Sequence, residues 1–240
     1  MVIYRLIKEP VFPHPEESEP DGLLAVGGDL SPERLLTAYS TGIFPWYDDQ
    51  SPILWWSLDP RLVLFPDDLH VSKKLKRKIR NSCYRVTLDE NFEKVIDNCA
   101  GKSRPGQNGT WIIPEMKEAY IKLFRLGFAH SIEVWDGNEL AGGLYGVSLG
   151  RFFSGESMFF LKPDASKFGF SYLVHFLINR DFDFIDCQQP TDHLKSLGAV
   201  EVKRDKFLRM LKVSQEHPTM RGKWEFVAGE YELITQELSK

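Results

Sequence analysis

The sequence has 240 residues, 42% of them hydrophobic, with 17 Phe and 6 Trp; a chain this long and apolar can bury a real core, which argues against disorder. Its 30 basic and 34 acidic residues leave a net charge of −4, which on totals alone speaks against a duplex-binding protein. Cys83, Cys99 and Cys187 form no CxxC pair and are odd in number, which argues against a disulfide framework or a structural zinc and suits a reducing compartment.

The opening MVIYRLIKEP carries charge inside its apolar run and has no signal-peptide pattern, and nowhere do eighteen apolar residues run together. A cytoplasmic protein without a membrane partner is expected. Residues Phe12 to Asp21, rich in Pro and Glu, read as an extended loop. An apolar run from Gly22 closes on Gly27-Gly28, and Ser31-Pro32 then caps a short helix reaching about Ser40, with Leu35, Leu36 and Tyr39 on its buried side. Gly42 ends that helix as a left-handed cap. An aromatic loop, Ile43 to Tyr47, precedes a strand over Pro52–Ser57, and Asp59-Pro60-Arg61 turns the chain into a short strand, Leu62 to Phe65. A small N-terminal α/β domain over 1–65 and a larger domain over 66–240 are expected.

Ser72 caps a helix through Arg80 whose only apolar stripe is Val71, Leu75 and Ile79. A strand (Tyr84 to Leu88), a helix (Phe92 to Cys99) and a polar, glycine-rich loop (Gly101 to Gly109) follow. Pro114 opens a helix with Met116, Ala119, Tyr120 and Leu123 on one face. Strands then dominate: Ser131 to Trp135, Leu140 to Leu149 and Phe152 to Phe160, the last two joined as a hairpin. A helix from Ala165 to about Asn179, a strand from Phe182 to Cys187, a helical turn over Leu194 to Gly198 and a helix over Asp205 to Val213 complete the pattern; the tail from His217 reads as peripheral. Helices interleaved with an antiparallel-rich set of strands give an α+β fold with a mixed sheet.

Strict alternation over Phe152–Phe160 puts Ser154, Glu156, Met158 and Phe160 on one face, with Glu156 the lone acid of an apolar strand. A buried carboxylate needs a partner or a task, and a structural salt bridge weighs about equally with function. Asp186 and Gln188 share a face at a strand's C-terminal end, where open sheets form their crevice, although a capping Asp and a surface Gln explain the pair as well. Cys187 points the other way and reads as core, with no histidine placed to activate it. The six histidines form no HExxH motif, so metal catalysis is not expected. Gly142, Gly143 and Gly146 read as strand positions that backbone or ligand approaches closely. Lys73, Lys74, Lys76, Arg77, Lys78 and Arg80 put six positive charges on one helix with no counter-charges at helical spacing, which points to an anionic partner. Trp46, Trp55, Trp56 and Trp111 sit in or beside loops; each either plugs the core or stacks on a base, an interaction worth roughly 1–3 kcal/mol.

Ten segments in order resemble the motifs of the bacterial leucyl/phenylalanyl-tRNA–protein transferases. They are Gly22 to Leu30, Gly42 to Trp46, Trp55 to Arg61, Thr110 to Ile112, Ala129 to Trp135, Gly142 to Gly146, Gly155 to Met158, Ala165 to Lys167, Ile185 to Gln188 and His193 to Ala199. Leu58 departs from the family's usual Pro, and Thr191 from its usual Asn.

The resemblance implies a GNAT-like acyltransferase domain behind a small N-terminal one. It implies transfer of Leu, Phe and less readily Met from aminoacyl-tRNA to proteins beginning with Arg or Lys, which marks them for degradation. No cofactor is implied, because the aminoacyl ester is already activated. Such a reaction is direct aminolysis without a covalent enzyme intermediate. Within it Asp186 is expected to orient Gln188 and hold the incoming amine, Gln188 to touch the reacting carbonyl or amine, and Glu156 to hold the substrate amine or the acceptor's basic head. Leu144, Phe153, Met158, Leu173 and Ile185 are expected to form the aminoacyl pocket, and Trp46, Trp111 and Tyr39 to hold the terminal adenosine. The basic helix is expected to grip the tRNA. An acetyl-CoA-dependent acetyltransferase is the first rival, but no pyrophosphate loop opens a helix. A tRNA-binding module without catalysis is the second, and it leaves Glu156 and Asp186 without a task.

Overall fold

The computed structural model describes residues 3–81, 83–101 and 112–240. The small unit contains β1 (Tyr4–Leu6), β2 (Leu23–Gly27), α1 (Pro32–Ser40), β3 (Phe44–Pro45) and β4 (Leu54–Trp56). Its four strands lie in the order β1-β2-β4-β3, parallel between β1 and β2 and antiparallel elsewhere. Ser31 caps α1 through the Arg34 amide, and Gly42, at a φ of 79°, turns the chain out of it.

The larger unit runs through β5 (Arg61–Leu64), α2 (Lys73–Asn81), β6 (Tyr84–Leu88), α3 (Phe92–Ala100), α4 (Pro114–Arg125), β7 (Ala129–Asp136), β8 (Glu139–Leu149) and β9 (Phe152–Phe160). It continues with α5 (Ala165–Ile178), β10 (Phe184–Gln188), α6 (Asp192–Lys195), β11 (Val200–Val202), α7 (Arg204–Ser214) and α8 (Glu230–Ser239). The sheet order is β11-β5-β10-β9-β8-β7-β6; β9 and β10 pair in parallel and every other pair is antiparallel. This is the α+β architecture, with a mixed, largely antiparallel sheet, that the sequence pattern gives. β5, which the sequence places ahead of the division at residue 65, pairs inside the larger sheet.

Two apolar layers cover the sheet. Phe92, Met116, Tyr120, Phe207 and Leu211 bring α3, α4 and α7 to one face, and this core continues into Leu24, Leu35, Tyr39 and Trp55 of the small unit. Leu75, Ile79, Phe168, Leu173, Ile234 and Leu238 bring α2, α5 and α8 to the other. Most of α5 is buried, as its largely apolar sequence requires. Gly142 in β8 serves packing of protein on protein: a Cβ there would lie 2.7 Å from the Cβ of Ala165.

The tail is not peripheral. Trp224 is 2% exposed and stacks on His130, and Ile234 and Leu238 of α8 are buried against α2 and α5. The apolar residues of this tail are sparse and separated by charge, so no strong period announces it in sequence.

Candidate active site

A cavity of about 860 Å³ lies between β3, the C-terminal parts of β9 and β10, the start of α5, and α6. That is the size of a small-molecule site. Leu144, Phe153, Met158 and Ile185 line its apolar wall, joined by Phe170. Leu173, expected beside them, is fully buried in the packing of α5 and does not reach the cavity.

The acidic corner depends on a bulge. Tyr145 pairs with Ser157 and Gly146 with Gly155, so Glu156 has no partner across the ladder. Strict alternation therefore fails here, contrary to the sequence expectation. Phe153 and Met158 pack on the α5 side, while Phe152 and Phe159 pack on the other. Ser154 and Glu156 turn instead toward Gln188 and Tyr120. Glu156 Oε1 accepts from Gln188 Nε2 at 2.8 Å and Ser154 Oγ at 3.3 Å, and Oε2 accepts from Tyr120 Oη at 2.7 Å. Burial pushes the Glu156 carboxyl up to about 7, nearby Asp186 adds to the rise, and hydrogen bonds from Tyr120, Tyr39 and Ser154 restrain it.

Asp186 is held by a cation. Arg61 Nε reaches Oδ1 at 2.8 Å and Nη2 reaches Oδ2 at 2.7 Å, and both residues are buried. The guanidinium lies 4.6 Å from the Phe44 ring and 4.8 Å from the Phe207 ring. Asp186 Oδ1 also accepts the Gln188 amide N–H at 2.9 Å. The carboxylate thus holds the Gln188 backbone, but it faces Arg61 and does not line the cavity, so it is not placed to hold an incoming amine there. Gln188 takes a φ of 59° after a second bulge, at Cys187, and lines the cavity. Cys187 packs against the core, as the sequence reading has it, and lines the cavity as well; burial drives its thiol far above the usual range, so it is no thiolate nucleophile.

Trp46 lines the opposite side, edge-on to Trp56 at 5.7 Å. Trp111 lies outside the described residues, as does most of the glycine-rich loop. Tyr39 is 2% exposed and its hydroxyl meets that of Tyr120 at 2.5 Å, so it braces the acidic corner and presents no face to an adenosine. Thr191, at the departure from the family pattern, caps α6 through the Leu194 amide and lines the cavity.

The basic helix adjoins the cavity rim. Lys74 pairs with Asp164 at 3.7 Å and Lys78 donates to the Pro163 carbonyl; both Pro163 and Asp164 line the cavity. Lys73, Lys74, Arg77 and Arg80 are exposed, Lys76 and Lys78 half-buried, and Arg80 reaches the Ser239 carbonyl at 2.5 Å.

Known proteins share this chain's pattern. The model of a family described as leucyl/phenylalanyl-tRNA protein transferase matches residues 63–212, and that of its N-terminal domain matches residues 28–59. A leucyl/phenylalanyl-tRNA–protein transferase of Maridesulfovibrio salexigens is 71% identical over 241 residues, covering 100% of both chains. The chain belongs to this family.

A second member of the leucyl/phenylalanyl-tRNA–protein transferase family, from an Anaeromyxobacter species, is 60% identical, covering 96% of this chain and 98% of its own. Among solved structures, a functionally unknown conserved protein from Staphylococcus epidermidis superposes with a TM-score of 0.43 at 10% identity, covering 75% of this chain and 68% of its own. L-PGS from Bacillus licheniformis superposes with a TM-score of 0.38 at 14% identity, covering 91% and 73%. Neither bears on the site.

Membership in the leucyl/phenylalanyl-tRNA–protein transferase family makes the chain an enzyme acting between an aminoacyl-tRNA and a protein. Among the described residues no group of His, Cys, Asp and Glu is arranged to hold a metal ion, and no helix is long and apolar enough to cross a membrane. Sequence reasoning missed Arg61, which read as a turn residue, and Tyr120, which read as core. A signal for Arg61 was present: an arginine next to the apolar run Leu62 to Phe65 needs a carboxylate if it is buried.

The raised Glu156 carboxyl has a stability consequence. Its ordinary value is 4.5 and its folded value about 7, so between these the folded state keeps a proton that the unfolded state has released. Stability therefore falls as pH rises through that window, by about 3 kcal/mol, and levels off above it. Glu156→Gln lacks this loss. Denaturant melts at pH 5 and pH 8 are expected to show the glutamine variant gaining on the wild type as pH rises.

Proposed function

We propose that the chain moves Leu or Phe, and less readily Met, from aminoacyl-tRNA onto proteins beginning with Arg or Lys, which directs them to degradation. The observation that carries this reading is the pairing of one apolar slot with one carboxylate that has no basic partner among the described residues. Leu144, Phe153, Met158 and Ile185 suit an aromatic side chain or one that is not branched at Cβ, and Glu156 lines the same cavity, where in this reading it meets the amines beside the ester.

The acceptor's neutral amine nitrogen attacks the ester carbonyl carbon. The C–N bond forms, the bond to the ribose oxygen breaks, and that oxygen takes up a proton as it leaves. An α-amine titrates at about 7.7–8.0, and a carboxylate near 7 is matched to hold it and accept its proton. Gln188, fixed by Asp186, touches the reacting carbonyl or amine. No covalent enzyme intermediate is needed, since positioning and charge stabilisation suffice. Trp46 and Trp111 hold the terminal adenosine.

Radiolabelled Phe-tRNA supplied with an acceptor starting with Arg, and separately with the same acceptor starting with Ala, tests the reading. Label is expected on the Arg-started protein alone. Equal labelling, or none, overturns it.

The basic helix serves tRNA binding. Reversing Lys73, Lys74 and Arg77 to Glu is expected to raise the KM for tRNA while leaving kcat near wild type. The dependence of log affinity on log salt should flatten by about 0.7–0.9 for each phosphate the helix no longer neutralises. An unchanged slope removes that helix from the interface.

A further inference from the structure

We infer that Trp224 is a positioning residue that fixes the depth of the apolar slot, and so helps decide which side chains are transferred. This rests on the slot's receiving the aminoacyl side chain.

Trp224 lies beyond residues 63–212, the stretch that the family model matches, in the tail that carried no sequence signal. Its ring stacks on His130 at 3.7 Å and 8°, packs 5.1 Å from Phe176, and stands 5.9 Å from Phe153. Phe153 is a wall of the slot. On another side the Phe153 ring rests on Gly146, where a Cβ would come within 2.5 Å of its Cζ. Phe153 is therefore held between bare backbone and a large indole. Close-packed interiors transmit such a constraint, because neither neighbour can yield without opening a void.

The indole is itself anchored. The Trp224 backbone N–H donates to Asp89 Oδ2 at 2.7 Å, and the same oxygen meets His130 Nδ1 at 2.8 Å. Asp89 Oδ1 accepts the Ser131 N–H at 2.7 Å. One carboxylate thus holds the His130 ring and the Trp224 backbone, the indole N–H donates to the Met220 carbonyl at 3.1 Å, and the support runs from the tail through Trp224 to Phe153. A smaller residue at 224 frees space behind Phe153, and the slot deepens.

The test compares kcat/KM for tRNA charged with Leu, Phe or Trp, using full-length Trp224→Phe, Trp224→Leu and His130→Ala. Phe153→Leu is the control for the slot itself. Trp224→Leu is expected to raise the Trp-to-Leu ratio by about tenfold or more, the scale on which pocket volume discriminates, with Trp224→Phe and His130→Ala moving the same way by less. The gain should appear as a lower KM for the bulky substrate, which loss of fold alone does not produce. If Trp224→Leu does not melt cooperatively, Trp224→Phe and His130→Ala carry the test. A ratio unchanged in the Trp224 and His130 variants, while Phe153→Leu shifts it, overturns the inference and spares the slot. A ratio unmoved by Phe153→Leu removes the slot, and the inference with it.

Discussion

Glu156→Gln is expected to cut kcat/KM for transfer by about 10²–10⁴, the range for losing a positioned acid–base group. The substitution keeps the size of the side chain and its ability to accept from Tyr120. It removes a titrating group at the corner whose value lies at about 7. The sign follows from the chemistry: the carboxylate must be ionised to take a proton, so wild-type kcat/KM rises with pH through about 7. In the variant that limb disappears, leaving only the rise set by the acceptor amine at about 7.7–8.0. Steady-state rates from pH 5.5 to 9 check both features. Near-normal turnover, or a limb that survives the substitution, rules out Glu156 as the proton acceptor.

Asp186→Ala is expected to lose stability and activity together. It strands the Arg61 guanidinium between Phe44 and Phe207 with no carboxylate, and breaking a buried pair from one side costs about 3–5 kcal/mol. It also removes the acceptor of the Gln188 amide N–H, which holds that residue in its left-handed backbone. The double variant Arg61→Met with Asp186→Leu separates the two effects. Apolar replacement of a whole buried pair is often neutral or stabilising, so its melting temperature should recover toward wild type. Transfer should not recover, because the Gln188 backbone N–H then has lost the carboxylate that holds it. A double variant that regains activity assigns the pair to folding alone.

Much of this molecule was legible in the sequence because local signals agreed with the fold. Ser31-Pro32 and Gly42 bracket α1, and Pro114 opens α4, each for a backbone reason that survives in the folded chain. Glu156 stood out as the one acid in an apolar strand, and Asp186 and Gln188 as polar residues at a strand end; all three meet in one corner.

What failed was whatever depended on counting. The bulge at Glu156 reverses the parity of β9, so the face shared by Ser154, Glu156 and Met158 on paper is split in space. The bulge at Cys187 likewise brings Gln188 to the cavity, although Asp186 two residues earlier faces Arg61. No composition signal marks either, since a bulge is set by pairing with the neighbouring strand. Tyr39 was read both as a buried helix residue and as an adenosine-binding one, and packing against Tyr120 settles the first. Leu173 shows the limit of residue type: an apolar residue on α5 turns to the core or to the cavity according to helix orientation, which a helix apolar on most of its faces does not reveal. Trp224 was invisible because its partners, Asp89, His130 and Phe153, are distant in the chain.

Everything proposed for this chain depends on the apolar slot beside Glu156 receiving the aminoacyl group. A crystal structure with a stable amide-linked phenylalanyl-adenosine analogue tests that most directly. The phenyl ring is expected among Leu144, Phe153, Met158 and Ile185, with the analogue's amine within hydrogen-bonding distance of Glu156 and its adenine against Trp46. A ring bound elsewhere, or an amine directed away from Glu156, contradicts it.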